Sequence, residues 1–220
     1  GNINHNKFEN RGYEIIEDHF NGLVNVLSVI NLKKIKKIIQ IGTSDEYGNN
    51  KSPQKEIEIN NFTSVYSFAK NTSYNFLKML NFTSNINFTY IRLYLVYGPN
   101  QKEDRLIPYV INSCIKNKKI FLSNPNNLRD FIYVEDVAKC LIKILKNTKS
   151  NGQIYNIASG KPISVKQITE MIVNKLGKGK IYYKKLLKQK NNNKSLYANV
   201  YKAKRDLKWA PIIDINDGLD

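Results

Sequence analysis

The sequence is short of the features that mark membrane, secreted and metal-binding proteins. Across 220 residues no apolar run approaches the ~18 needed to span a bilayer, and no signal-peptide pattern opens the chain. There are two cysteines, Cys114 and Cys140, and neither stands at metal-ligand or redox spacing. Both read as reduced core thiols of a cytoplasmic protein. Methionine occurs only at Met79 and Met171. Negative charge is scarce: 18 Asp plus Glu against 35 Lys plus Arg leave a net charge of +17. Such a balance suits a polyanionic partner. Yet the lysines are dispersed, at 33–37, 116–119 and 178–194, they rise together with asparagine, and no recognisable nucleic-acid module frames them. The excess reads as compositional drift, with no nucleic acid and no membrane among the partners. The four Asn-x-Ser/Thr sequons, at Asn61, Asn71, Asn81 and Asn87, follow from the same asparagine richness.

What is present is a core-forming composition, 41% apolar, in a chain long enough for one domain or one and a half. The chain is organised around residues 38–70. A short apolar run at 37–41 reads as a buried strand, breaks at Gly42, and leads into Thr43-Ser44-Asp45-Glu46-Tyr47-Gly48. After a loop comes Ser64-Val65-Tyr66-Ser67-Phe68-Ala69-Lys70 at a helix start. Hydroxyls and carboxylates thus crowd the carboxyl end of a strand, where open α/β sheets bind ligands. Tyr66 and Lys70, four apart, project from one helix face. A phenol near pKa ~10 is a poor base at neutral pH. An ammonium within about 4–6 Å can lower that value by roughly one to three units. Tyr66 then becomes a general acid/base for a hydroxyl that Thr43 also hydrogen-bonds. Oxidising an alcohol also needs a hydride acceptor that side chains cannot supply, so a nicotinamide cofactor is implied.

The same Tyr-x-x-x-Lys spacing occurs at Tyr47/Lys51, in a Gly/Asn/Pro-rich loop, and at Tyr74/Lys78, with no polar cluster upstream. The order strand, Thr43, Tyr47-Gly48, loop, Tyr66 singles out one pair. At these residues the chain resembles the extended short-chain dehydrogenase/reductases, in their nucleotide-sugar epimerase/dehydratase branch. Thr43 lies four before Tyr47-Gly48, as the family's catalytic Ser or Thr does, and Ser64-x-Tyr66-x-x-x-Lys70 matches its catalytic segment. Further matches are Asn21-Gly22-Leu23, Tyr97-Gly98-Pro99-Asn100-Gln101, residues 129–136 (RDFIYVED) and the closing stretch from Ala203 to Trp209, a packing residue.

The resemblance implies an α/β fold: a partial Rossmann-like parallel sheet, its first strands and glycine-rich turn absent, with a smaller C-terminal α/β substrate lobe. The implied domains are 1–104, carrying the catalytic residues, and 105–220, from which strand 119–122 and helix 133–147 are candidates to return to the Rossmann core. Because no Gly-rich turn cradles a pyrophosphate, the chain is expected to be a fragment, clipped at both ends, that binds cofactor poorly alone. The implied catalytic residues are Thr43, Tyr66 and Lys70, with Asp45 as an extra acid/base. NAD or NADP is expected against Tyr66, Lys70 and Tyr94, and the substrate against Ser44 and Arg129, whose guanidinium suits a diphosphate. No metal is implied. The partners are a nucleotide-diphosphate sugar and a second copy in a homodimer, and the location is cytoplasmic. Three departures stand out. His19 replaces an Asn near the nicotinamide, Leu95 replaces an Asn on the substrate diphosphate, and only Lys188 and Lys190 lie near a usual substrate Arg.

Such a site serves 4-epimerisation, 4,6-dehydration or reduction of a 4-keto sugar. Dehydratases carry Asp-Glu or Ser-Glu after the catalytic Thr. Here Ser44-Asp45 offers a carboxylate one methylene short, and Glu46 is expected to point elsewhere. Epimerase or reductase therefore ranks above dehydratase, and a non-catalytic basic binding protein is the competing class.

The expected elements are a helix over 13–32 after a polar, irregular 1–12, a helix over 64–81 burying Phe68, Ala69, Phe76, Leu77 and Leu80, and one strand over 88–96. They continue with a helix over 105–117 packing Ile107, Val110, Ile111 and Ile115, a strand at 154–158, and a helix from a Ser164 N-cap to Leu176 before Gly177.

Overall fold

The structure, a computed structural model, describes residues 8–58, 60–183 and 194–220. Its elements in chain order are α1 (Tyr13–Ile16), α2 (Gly22–Val29), β1 (Ile38–Thr43), α3 (Val65–Ser84), β2 (Phe88–Leu93), β3 (Leu95–Tyr97), α4 (Leu106–Ile115) and β4 (Lys119–Leu122). They continue with β5 (Leu128–Tyr133), α5 (Val134–Lys146), β6 (Gln153–Ile157), β7 (Pro162–Ser164), α6 (Val165–Leu176), β8 (Lys180–Tyr183), β9 (Ser195–Leu196) and α7 (Tyr201–Leu207). Lys188 and Lys190 lie outside the described residues.

The central sheet has the order β1-β2-β6, all parallel. Parallel neighbours need a crossover, and α3 supplies the one between β1 and β2. The two-residue period of β2 divides its side chains between two layers. Phe88 and Tyr90 join Leu27 and Leu77 under α2 and α3. Ile91 faces Val137, Cys140 and Ile144 of α5 together with Trp209. Each such side chain contributes about 1.5–3 kcal/mol of burial, and helices on both faces make a covered parallel sheet of the α/β class.

The strand expected over 88–96 is two strands. After Tyr94, whose N–H donates to the Ile157 carbonyl at 3.3 Å, the chain leaves the central sheet. β3 then pairs in parallel with β5, which also pairs with β7 and β9. α4 and α6 close over this second sheet through Val110, Ile120, Phe131 and Ile168. β4 pairs with β8 and stays in this half, whereas α5 packs back on the central sheet.

Other differences have simple causes. Residues 8–12 are not irregular throughout: Phe8–Gly12 winds as a helical turn, broken at Asn10 and Arg11, into α1. α3 runs on to Ser84, where Asn85 adopts the left-handed conformation that ends a helix. Phe68 is 48% exposed and packs edge-on against Phe62. Ala69 and Leu77 are buried as expected, joined by Tyr66 and Ser73, and Phe76 and Leu80 pack half-buried against the same core. Ile115 is likewise exposed, and Cys114 takes its place inside. Ser164 caps α6 through Gln167, and Gly177 ends it at φ 64°, both as expected.

Candidate active site

β1 delivers Thr43 to the carboxyl edge of the central sheet, where the chain must turn at once. It does so in a tight helical turn, Ser44–Tyr47, held by a capping box between Thr43 and Glu46. Gly48 leaves that turn at φ 55°, and a Cβ there would meet the Asn61 carbonyl oxygen at 1.7 Å. Ser64 caps α3 by accepting from the Ser67 N–H at 3.1 Å, and this sets Tyr66 in the first turn and Lys70 one turn on.

The structure brings Thr43, Tyr66 and Lys70 together. The Thr43 side chain lies near enough to the Tyr66 phenol to act on it as a hydrogen-bonding group. The Lys70 Nζ lies 5.9 Å from the Tyr66 ring centroid and donates to the Ile41 carbonyl at 3.0 Å. Tyr66 is 6% exposed. Burial pushes its phenol up to about 12, the Asp45 carboxylate adds to the rise, and the Thr43 hydrogen bond works against it. The lowering expected from Lys70 is therefore reversed: desolvation outweighs it, and the ammonium is engaged by a backbone carbonyl. Burial likewise lowers the Lys70 ammonium, with Glu46 opposing. In this state the phenol is a proton donor.

Asp45 also acts electrostatically on Arg129. Burial lowers that guanidinium, and the Asp45 carboxylate counters it. Arg129 lies on β5 with Nη1 donating to the Leu128 carbonyl at 2.8 Å, while its neighbour Asp130 accepts from the Ser159 and Gly160 N–H groups. No ion pair joins Arg129 and Asp130 among the described residues. Ser44 is buried in the turn beside Thr43. Tyr94 is not brought to the trio: it is buried beside Tyr47, Ala158 and Ala198, with its hydroxyl on Gln54 at 2.9 Å.

Glu46 does point away from the cleft, but it has a partner the sequence reading missed. It is fully buried and ion-pairs with the Arg92 Nε at 2.9 Å, and the guanidinium stacks over Tyr47 at 4.4 Å. A charge inside the buried run of β2 was the available signal, since such a charge must be paired. His19, one of the three departures from the family pattern, is buried and meets the Tyr66 ring edge-on at 5.1 Å. Arg105, at the start of α4, acts on the Tyr66 phenol in the direction opposite to Asp45.

Residues 4–158 match the family described as NAD dependent epimerase/dehydratase. The chain belongs to that family. Among curated relatives of this epimerase/dehydratase chain, a UDP-glucuronate 4-epimerase of Thermodesulfobacterium geofontis is 28% identical over 211 residues, covering 93% of the chain and 63% of the relative. A CDP-abequose synthase of Salmonella typhimurium is 28% identical over 142 residues, 62% of the chain and 47% of the relative. The chain thus spans less than two thirds of either relative's length. The crystal structure of a UDP-glucose 4-epimerase from Thermotoga maritima with UDP-glucose superposes with a TM-score of 0.87 at 22% identity, covering 94% of this chain and 69% of the other. At that identity the likeness concerns the fold.

Proposed function

We propose that this chain carries the hydride-transfer site of an NAD(P)-dependent nucleotide-sugar epimerase or reductase acting at a sugar ring hydroxyl or keto carbon. One observation carries the reading: Thr43, Tyr66 and Lys70 converge at the carboxyl edge of a parallel sheet, with the Lys70 Nζ 5.9 Å from the Tyr66 ring and Thr43 acting on its phenol. Tyr66 gives a proton to, or takes one from, the sugar oxygen, and Thr43 holds that oxygen. Lys70 fits the ribose of a nicotinamide cofactor, because a three-donor ammonium can hold the Ile41 carbonyl and a diol together. The cofactor, when bound, accepts and returns the hydride. Arg129 takes the substrate diphosphate, an anion that repays the burial of its guanidinium.

A second reading rests on Asp45. Its carboxylate acts on the Tyr66 phenol while Glu46 is turned into the core. This supports 4,6-dehydration with Asp45 as the extra acid/base. The exposed Val26, Val29, Met79 and Phe82 on α2 and α3 support a homodimer closing over these helices.

The test compares the protein carrying Tyr66 with its Tyr66→Phe variant on UDP and GDP sugars with NAD or NADP. Turnover is expected to fall by about 10²–10⁴-fold, with nucleotide-sugar binding unchanged by calorimetry. Undiminished turnover overturns the reading. So does salt-dependent retention on DNA without nucleotide-sugar binding.

A further inference from the structure

The least expected feature near the trio is a carboxylate with no access to the cleft. Glu46 is fully buried, yet its two oxygens reach every element that carries a reacting group. Oε1 accepts from the Thr43 N–H at 3.0 Å, at the end of β1. The Tyr90 hydroxyl of β2 lies 2.7 Å from the same oxygen and 2.8 Å from the Lys70 carbonyl of α3. Oε2 accepts from the Arg92 Nε of β2 at 2.9 Å and from the Asn71 Nδ2 of α3 at 3.3 Å. Asn71 is the residue after Lys70, so Oε2 holds this turn of α3 directly, while Oε1 and the Lys70 carbonyl share the one Tyr90 O–H. A hydrophobic residue could fill this volume, but it could not join three elements by hydrogen bonds at one point.

We propose that Glu46 is a positioning residue of the site: it ties the Thr43 backbone, the Lys70 turn of α3 and Arg92 of β2 into one frame, and its charge keeps the Lys70 ammonium in place. The assignment rests on the reading of Thr43, Tyr66 and Lys70 as the reacting groups. The groups facing Glu46 are Thr43 and Asp45 on its own turn, Tyr90 and Arg92 from β2, and Tyr66, Lys70 and Asn71 from α3. Arg92, in contact with the carboxylate, and the Lys70 ammonium are the two cations among them. A solely structural carboxylate could be neutralised at constant shape without altering how Lys70 holds its proton. A positioning charge could not. Burial already disfavours the Lys70 ammonium and Glu46 opposes that effect, so removing the charge makes Lys70 lose its proton at lower pH.

Glu46→Gln keeps the volume and one acceptor oxygen. The measurement is the ¹³Cε NMR titration of Lys70 in the ligand-free chain, assigned by the signal missing from Lys70→Met, with circular dichroism as a check on folding. The expected result is a Lys70 midpoint at lower pH than in the parent, with folding retained. An unmoved midpoint in a folded variant overturns the assignment. Should Glu46→Gln fail to fold, Glu46→Gln/Arg92→Met removes both charges, a replacement that buried pairs often tolerate. Because the lost cation works against the lost anion, Arg92→Met is titrated beside it: a Lys70 midpoint lower in the double variant than in Arg92→Met supports the proposal, and equal midpoints overturn it. If neither variant folds, the pair is a stability element only and the assignment also falls. Because no turnover is read, this outcome is independent of whether Tyr66→Phe abolishes activity.

Discussion

Arg92 and Glu46 form an ion pair, Nε to Oε2 at 2.9 Å, at a point sealed from solvent beneath the residues proposed to react. Burial pushes the guanidinium down, and Glu46 and Tyr47 together more than offset it, so the Arg92 pKa is raised. Pairs of this kind add little compared with a well-packed apolar substitute, but breaking one is costly.

Arg92→Ala leaves the Glu46 carboxylate buried without its counter-charge. The expected loss is about 3–5 kcal/mol in urea unfolding. A loss within the range of a surface substitution, under about 0.5 kcal/mol, would show that Glu46 finds another partner or is neutral in the fold.

Alkaline stability follows from the phenols. Tyr47 and Tyr66 are pushed up to about 12, in each case first by burial, whereas an unfolded tyrosine titrates near 10. A raised folded pKa contributes stability that is whole below the unfolded value and is lost as pH rises through the folded one. Thermal stability should therefore fall between about pH 10 and 12, by roughly 3 kcal/mol for each phenol. Tyr66→Phe should make that decline shallower by one proton. An identical slope in the variant counts against a raised Tyr66.

Gly42 tests the packing behind Lys70. A Cβ at this position would stand 2.3 Å from Cε1 and 2.5 Å from the hydroxyl oxygen of Tyr90, the group that bridges Glu46 and the Lys70 carbonyl. Gly42→Ala should cost about 1–3 kcal/mol through overpacking, read as a lowered melting temperature. Unchanged melting would mean that the Tyr90 ring moves aside freely.

Asp45 separates the two reaction readings. Its carboxylate raises the Tyr66 phenol, so Asp45→Asn should bring the Tyr66 midpoint down in a tyrosinate absorbance titration. If Asp45 is a dehydration acid/base, the variant loses loss of water while hydride transfer continues. If it only tunes Tyr66, both respond together.

Much of this arrangement was legible in the chain. The run 38–41, the break at Gly42 and the Ser64 cap specify local structure by period and hydrogen bonding alone, and they set Tyr66 and Lys70 one turn apart. The Ser164 and Gly177 ends of α6 are equally local. The switch of strand at Tyr94 was hidden, since 88–96 is uniformly β-forming and only pairing with β5 separates its halves. Phe68 was misplaced for a related reason: a helix with apolar side chains around much of its circumference does not announce which of them meets the sheet.

The sequence by itself determined which side chains could do the chemistry and how they are spaced along β1 and α3, because caps and periodicities act over a few residues. Only the tertiary structure decided what surrounds them: Arg92 as the partner of Glu46, His19 against the Tyr66 ring, and the Tyr66 phenol raised rather than lowered. Desolvation and charge pairing depend on what lies across space, and in this chain the partners are contributed by strands and helices tens of residues apart.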